Sequence, residues 1–472
     1  MTGLNSATAP RSRTFRKPAV VLGAVLFAVN SFAALPVVEN PIYRFTNSAA
    51  TGGSPKSRLI FGSDGALYGT TCTFGPYGFS TAGGTVFRIN RDGSGFQVIH
   101  AFGSVPNDGG MALNATDHAL ALGKDHFLYG TTFTANAGFG CVFKLAQDGS
   151  GYRILHNFDF SQGDRFPVAG VIQAANGALY GTTSSGAVFK LNPDGSGYTV
   201  LTNVGGPMSA ALLEGRDGML YGSSAGTVFK IHTNGSNYTT LHTFSGPDGT
   251  NAVGQLIQSS SGFLFGTAAA GGNAGGGTIF MINTNGSDFS VVHNFGDGQV
   301  PGDGEAPEAG LALGPGDFLY GTTTASANAG LLGTLFKINQ DGSGYERLYT
   351  FTMGSSPPAS DARTPVAGLV AGQTQDSIGV LYGTSINGGA PGADGTVFAV
   401  IVNPPLSITP VVGQSGNQPL VFWPAWAVNY VLQATTNLNS PDWTAVSNGV
   451  PMAGLLVTNS QPSAYFRLVW PQ

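Results

Sequence analysis

Short apolar runs with the two-residue alternation of a sheet recur along most of the chain, each closed by a cluster of Gly, Asp, Asn or Ser. Four such runs make one unit. The first, as in Val171-Ile172-Gln173 or Leu311-Ala312-Leu313, ends in a short turn such as Asp64-Gly65, Asn176-Gly177 or Asp217-Gly218. Asn-Gly and Asp-Gly favour tight hairpins because both residues tolerate positive φ. The second run is Leu-Tyr-Gly-Thr, and the third is Thr85-Val86-Phe87-Arg88-Ile89 with its copies. A second turn, Asn90-Arg91-Asp92-Gly93-Ser94-Gly95 or Asn192-Pro193-Asp194-Gly195-Ser196-Gly197, leads to a fourth run such as Arg153-Ile154-Leu155-His156-Asn157.

The aromatic of the second run stands at Tyr68, Tyr129, Tyr180, Tyr221, Phe265, Tyr320 and Tyr382, at intervals of 41 to 62 residues. That period suits a propeller blade and is too irregular for a tightly stacked solenoid. The third run also occurs seven times, at Phe87, Phe143, Phe189, Phe229, Phe280, Phe336 and Phe398. The fourth follows only six of these, because after Phe398 the chain runs into Val402-Asn403-Pro404-Pro405. One surplus fourth run lies ahead of the first unit, at Ile42-Tyr43-Arg44-Phe45. If it completes the last blade, no sheet edge stays open. The expected fold is therefore all-β: over residues 35–403 a seven-bladed β-propeller with four-stranded blades, its ring closed by an N-terminal strand. Residues 404–472 hold all four tryptophans and no copy of the repeat. Their strand-like runs, at 406–412, 419–423, 430–434, 443–446, 455–458 and 464–469, predict a small β-sandwich behind a Pro404-Pro405 hinge.

Composition sharpens this picture. With 72 glycines in 472 residues and 10 % charged residues, the chain is neither a helical bundle nor a charged disordered polymer. Residues 1–34 read as a secretory signal, with Arg11, Arg13, Arg16 and Lys17 ahead of a short apolar run and small residues at Ser31-Phe32-Ala33. The expected destination is outside the cytoplasm: extracellular, cell surface or periplasm. No other segment is long enough to span a membrane as a helix. The net charge is −5, and loss of the leader's four cations makes it more negative, which argues against a nucleic-acid partner. A monomer is expected.

The phrases Leu-Tyr-Gly-Thr-Thr, Gly-Thr-Val-Phe-Lys and Asp-Gly-Ser-Gly-Tyr, in that repeated order over residues 40–402, resemble the GloVer tandem-repeat family of exported bacterial proteins. The tail, with Tyr430-Val431-Leu432-Gln433-Ala434 and Tyr465-Phe466-Arg467-Leu468, is similar to fibronectin-type-III-like modules of secreted bacterial proteins. The resemblance implies export and a propeller-like repeat; it brings no activity.

Motifs that carry chemistry elsewhere have plainer readings here. His100, His156, His242 and His293 share one position of the fourth run, where other copies have Tyr43, Thr202 and Tyr349. Equivalent positions of different blades lie too far apart for one zinc ion, so these are read as polar residues at blade interfaces. Asn90-Arg91-Asp92-Gly93-Ser94 resembles part of a calcium loop, but Arg88 and Ile99 stand where that loop needs acids, and a hairpin turn explains every copy. Gly222-Ser223-Ser224-Ala225-Gly226 has the formal nucleophile-elbow spacing without the following helix. No metal site and no cofactor are expected. Cys72 and Cys141 fall in different copies, and the sequence leaves their pairing open.

Function is sought on one rim. Both hairpin turns are short and nearly constant, whereas the linkers from fourth to first strand and from second to third differ in length and content. Variable loops on a rigid scaffold are the usual place for recognition. The binding candidates are Tyr77, Phe79, Phe133, Phe139, Asp164, Arg165, Asp303, Glu305, Asp361 and Arg363. Aromatics with neighbouring polar groups suit a glycan, and a surface protein is the other partner considered. The expectation is an exported, non-enzymatic binding or scaffold protein. The alternative is a polysaccharide lyase or glycoside hydrolase, which needs two carboxylates about 5–10 Å apart. Asp164, Asp303, Glu305, Glu308 and Asp361 are the available acids of the fourth-to-first linkers.

Overall fold

The computed structural model describes residues 39–402 except 47, 49, 74–82, 107, 110–119, 134–138, 160–164, 209, 315–316, 326–330, 353–361, 373–379 and 389–393, together with six strands beyond 402. The leader lies outside the described residues. Seven four-stranded antiparallel sheets form a β-propeller. Blade 1 is Ile60–Phe61, Leu67–Thr71, Thr85–Ile89 and Gln97–Ala101. Blades 2 to 6 repeat this order, beginning at Ala121, Ile172, Leu213, Ile257 and Ala312. Blade 7 takes Val370–Ala371, Val380–Ser385 and Thr396–Ile401 from the end of the ring and Glu39–Arg44 from its beginning. The N-terminal strand pairs antiparallel with Thr396–Ile401, as the strand count requires, and the ring has no free edge there.

Each letter of Leu-Tyr-Gly-Thr answers a local demand. The run is buried on both faces because neighbouring blades cover both sides of its sheet, so strict polar alternation is lost here. The Tyr hydroxyl returns to the preceding turn: Tyr129 donates to Asp125 at 2.7 Å and Tyr221 to Asp217 at 2.7 Å. The Gly lies under the third-strand phenyl ring, where a Cβ on Gly69 would stand 2.6 Å from Phe87 Cζ and one on Gly222 2.5 Å from Phe229 Cζ. The Thr hydroxyl crosses to the next blade: Thr131 donates to the Ala169 carbonyl at 2.9 Å, Thr267 to Ala309 at 2.9 Å, and Thr384 to Ser57 at 3.1 Å across the closure.

The second turn is also an interblade contact. Its acid is consumed locally: Asp92 Oδ1 accepts from the Ser94 hydroxyl at 2.7 Å and the Ser94 amide at 3.0 Å, and Asp148, Asp194 and Asp341 do the same with their serines. In every blade the third-to-fourth pairing slips by one residue, leaving a β-bulge at Ile99, Leu155, Leu201, Leu241, Val292, Leu348 or Ile42. The turn glycine of the following blade rests on that bulge: a Cβ on Gly195 would lie 2.7 Å from the Leu155 carbonyl oxygen, and one on Gly342 2.5 Å from that of Val292. These contacts explain the constancy of Asp-Gly-Ser-Gly without any bound ion.

Aromatic rings fill the space between outer strands. In blades 1, 2, 3, 5 and 6 the ring ending the second turn stacks on the fourth-strand His or Tyr of the blade before it: Phe96 on Tyr43 at 3.9 Å, Tyr152 on His100 at 3.7 Å, Tyr198 on His156 at 3.5 Å, Phe289 on His242 at 3.5 Å and Tyr345 on His293 at 4.4 Å. Two residues on, a Phe packs edgewise against the next blade's third-strand ring, as Phe102 does on Phe143 and Phe158 on Phe189. Between blades 3 and 4 Thr202 and Val204 stand in these places, and Tyr238 is left 38 % exposed.

Beyond the ring, strands form at or close to all six expected positions. Ser407–Gly413, Gly416–Phe422 and Leu455–Leu456 make one antiparallel sheet, and Thr444–Ala445, Val431–Thr435 and Tyr465–Val469 make another. The latter belongs to a second compact unit of the chain.

Two outcomes follow. Gly222→Ala forces a methyl group against Phe229 and Leu212 and is expected to cost about 1–3 kcal/mol; Gly226→Ala, with nothing within 4 Å of the new methyl, serves as the near-neutral control in thermal unfolding. Deleting residues 39–46 uncovers the Thr396–Ile401 edge and the face of Phe96. The truncated protein is expected to self-associate in light scattering, and a synthetic peptide of residues 38–46 to return it to the native size.

Candidate functional site

The antiparallel order puts both hairpin turns of every blade on one rim and both long linkers on the other. On the linker rim a repeated device ties neighbouring blades together. Ser54, Phe166, Asn251, Ala306 and Thr364 all adopt the left-handed conformation, with φ from 50° to 58°. Each donates its amide to a carbonyl of the preceding blade and accepts at its own carbonyl from the segment that follows its own blade's second strand. For Phe166 the partners are the Phe139 carbonyl at 2.9 Å and the Ser184 amide at 2.9 Å. For Ala306 they are the Gly276 carbonyl at 2.8 Å and the Thr324 amide at 3.1 Å. A bulky residue at positive φ is uncommon, and Pro167 further restricts its predecessor. The position is held in place by backbone hydrogen bonds on both sides.

Phe166 is the aromatic member of this set, and it gathers three of the sequence candidates. Its ring stacks on Phe133 at 4.9 Å and meets Phe139 edge-on at 5.1 Å. The Arg165 guanidinium lies over the Phe139 ring at 5.9 Å. Phe133 and Phe139 come from the second-to-third loop of blade 2, and Arg165 and Phe166 from the linker into blade 3; all four are half-buried. Sequence reasoning missed Phe166. The signal was its place before Pro167, in register with Ser54-Pro55, Ala306-Pro307 and Thr364-Pro365.

The remaining candidates lie elsewhere. Asp303 is 3 % exposed, and its carboxylate accepts from His293 Nε2 at 2.9 Å and the Gly296 amide at 3.3 Å. Its carbonyl accepts from the Thr334 and Tyr345 hydroxyls of blade 6 at 3.0 and 2.8 Å. Glu305 pairs through its backbone with Ala325 and keeps a half-buried side chain. Arg363 sits in a two-stranded ribbon in which Ala362–Arg363 pairs with Asn387–Gly388. The pair Asp303 and Glu305 lies in the linker from blade 5 to blade 6, across the ring from the phenylalanine cluster. Tyr77, Phe79, Asp164 and Asp361 lie outside the described residues. Burial raises the Glu308 carboxyl above its ordinary value, an effect that nearby Lys56 partly offsets.

The histidines sit at blade interfaces. His100, His242 and His293 pair through Nε2 with Asp108, Asp248 and Asp303 at 3.2, 2.8 and 2.9 Å. Among the described residues no cluster of three His, Cys, Asp or Glu could hold a metal ion. Ser224, the central serine of the elbow-like pentapeptide, is buried and paired with the Thr227 hydroxyl at 2.9 Å, closing a tight loop. Cys72 and Cys141 are free thiols in one core cluster, and burial pushes them up to about 11 and about 12. Along the axis, first-strand residues line a cavity of about 380 Å³, with no acid in its wall among the described residues.

The Gloeobacter/Verrucomicrobia repeat matches residues 34–225 and again 211–404, which together span most of the chain. The chain belongs to the Gloeobacter/Verrucomicrobia repeat family. No curated protein matches it in sequence. Among solved structures, a catalytically inactive virginiamycin B lyase from Staphylococcus aureus with quinupristin is similar at a TM-score of 0.51 and 16 % identity, over 78 % of this chain and all of the lyase. A GH74 enzyme from Niastella koreensis is similar at a TM-score of 0.50 and 14 % identity, over 88 % of this chain and 68 % of the enzyme. At these identities the likeness extends to the fold.

In this Gloeobacter/Verrucomicrobia repeat protein one interface histidine titrates far from its usual range. Burial lowers His156 to about 4, with Asp159 offsetting a little of the effect. The unfolded chain, with a histidine near 6.5, therefore binds the proton first. Stability is expected to fall as pH drops from about 6.5 to about 4 and to show no His156 dependence outside that window. His156→Phe, which can still stack on Tyr198, should flatten that slope when thermal midpoints at pH 7.5 and 4.5 are compared.

Proposed function

We propose that the protein is an exported, non-enzymatic binding protein that recognises a glycan through the linker rim, at the boundary of blades 2 and 3. The observation that supports this is the Phe133–Phe166–Phe139 cluster beside Arg165. At the equivalent stitches the chain has Ser54, Asn251, Ala306 and Thr364, so the rings are a local addition to a shared frame. Partly exposed aromatic faces cover the apolar face of a sugar ring, and a guanidinium donates to hydroxyl or carboxylate oxygens. Residues 1–34 would serve as the export signal, and the strands beyond 402, read as a fibronectin-like module, as a spacer at the cell surface.

Asn251 supplies the control, since asparagine tolerates the left-handed conformation in blade 5. On a glycan array the wild-type protein is expected to retain a defined glycan class. Phe166→Asn should lower its affinity about tenfold while leaving the thermal midpoint within a few degrees. An array with no retained glycan, or equal binding by Phe166→Asn, would overturn the reading; capture of a surface protein that depends on Phe166 would replace the glycan with a protein partner.

A further inference from the structure

The second turn of blade 4 departs from its copies at two adjacent residues. Tyr238 ends that turn, in register with Tyr152, Tyr198 and Tyr345. It lies 5.6 Å from Phe229 at an interplanar angle of 33°, just as Tyr198 lies 5.7 Å from Phe189 at 34°. Its own blade therefore holds the ring in the stacking posture. On Tyr198 the outer face is covered by His156 at 3.5 Å; for Tyr238 the residue in register is Thr202, and the ring is 38 % exposed.

The residue before this ring is the second exception. It is Gly95, Gly151, Gly197 and Gly344 in blades 1, 2, 3 and 6, all at φ between 62° and 68°. Blade 4 has Asn237 there at φ 57° and blade 5 has Asp288 at 56°, two residue types that tolerate the left-handed region. Asp288 is used locally, its Oδ2 accepting from the Ser287 hydroxyl at 2.7 Å. The Asn237 side chain is exposed and makes no hydrogen bond among the described residues. Two residues on, the exposed Thr239 donates its hydroxyl to the Asn237 carbonyl at 3.3 Å. Asn237-Tyr238-Thr239 is the Asn-x-Thr pattern that accepts an N-linked sugar on exported chains. The same pattern at Asn234-Gly235-Ser236 and Asn285-Gly286-Ser287 is committed to the turn. Asn234 Oδ1 accepts from the Ser236 amide at 2.9 Å and hydroxyl at 2.7 Å, and Asn285 Oδ1 from the Ser287 amide at 2.8 Å. Asn114-Ala115-Thr116 lies outside the described residues.

We propose that Asn237 is a covalent modification site carrying an N-linked sugar, whose first ring lies over the open face of Tyr238. The donor is a lipid-borne glycosyl diphosphate, used by a transferase outside the cytoplasm. Asn237 Nδ2 bonds to the anomeric carbon as that carbon's bond to the diphosphate oxygen breaks. The diphosphate leaves with the electron pair, and the amide gives up one proton to a base of the transferase. A single stacked face holds a free sugar weakly, but a sugar tethered one residue away meets that face at high effective concentration. The sugar takes the place that an imidazole fills on Tyr152, Tyr198, Phe289 and Tyr345. This inference rests on the export proposed above and is independent of glycan recognition at the rim.

The test is mass spectrometry of peptides from the full chain produced in its native host. A sugar is expected on Asn237 and on neither Asn234 nor Asn285. Thr239→Ser should keep it and Thr239→Ala should remove it. Asn237→Gly, which restores the residue of four other blades, should also remove it while leaving the thermal midpoint within a few degrees. In the purified glycoprotein, nuclear Overhauser contacts are expected between the first sugar and the Tyr238 ring, and they should vanish in Thr202→His, whose imidazole takes that face. An unmodified Asn237 overturns the proposal wherever the protein is found, as does a sugar that survives Thr239→Ala. A sugar on Asn237 without contacts to Tyr238 overturns the stack. Export is read separately from the mature N-terminus: a chain that keeps residues 1–34 counts against the export reading, and Phe166→Asn should leave the sugar on Asn237 unchanged.

Discussion

A propeller blade cannot cover its own faces, and the ring holds because each blade finds on its neighbour a surface of matching shape. Here the central contact is the stack between the aromatic ending one blade's second turn and the His or Tyr on the outer strand of the blade before, at 3.5 to 4.4 Å across five boundaries. Such pairs add about 0.5–1.5 kcal/mol beyond the area they bury. The stack also fixes the turn over the bulge below it, and the turn needs glycine there because the neighbour's carbonyl leaves no room for a Cβ. The repeated phrases of the sequence are largely consequences of that one approach.

This explains why the ring was legible in the sequence. The demands on Leu-Tyr-Gly-Thr and Asp-Gly-Ser-Gly recur at nearly every boundary, and seven solutions to the same problem show in one chain as a period. The closure was legible for the same reason: the missing fourth strand after Phe398 and the spare one at Glu39–Arg44 are complementary only in a ring. The site was less legible. Asp303 belongs to a rim linker, but its side chain turns inward to His293, a partner ten residues earlier. The spacing held a clue, since Asp108 and Asp248 also follow fourth-strand histidines. Phe166 was hidden because its role depends on a left-handed backbone that no local residue preference announces.

A frame that consumes its polar residues at interfaces makes the exceptions informative. Threonine hydroxyls go to the next blade, turn carboxylates to their own serines, and interface histidines to aspartates. Among the described residues, one departure is the cluster of phenylalanines at one stitch, in register with Ser54, Asn251, Ala306 and Thr364. The exchange of His for Thr202 between blades 3 and 4 is different in kind. It removes a stack and leaves Tyr238 partly uncovered.

The same interface chemistry explains how the rim can vary at all. The aspartate that meets the histidine lies 8 residues after His100, 6 after His242 and 10 after His293, yet each reaches the same ring nitrogen. The following third strand then docks on the backbone of that aspartate: Thr278 and Thr334 donate to the carbonyls of Asp248 and Asp303 at 3.1 and 3.0 Å. Residues between His and Asp can therefore be added or removed without moving the next blade, because both ends of the linker are pinned to the frame. Loop length is decoupled from blade position, and closing a few more residues costs little entropy. A ring held in this way can change what its rim presents while the contacts that close it stay the same.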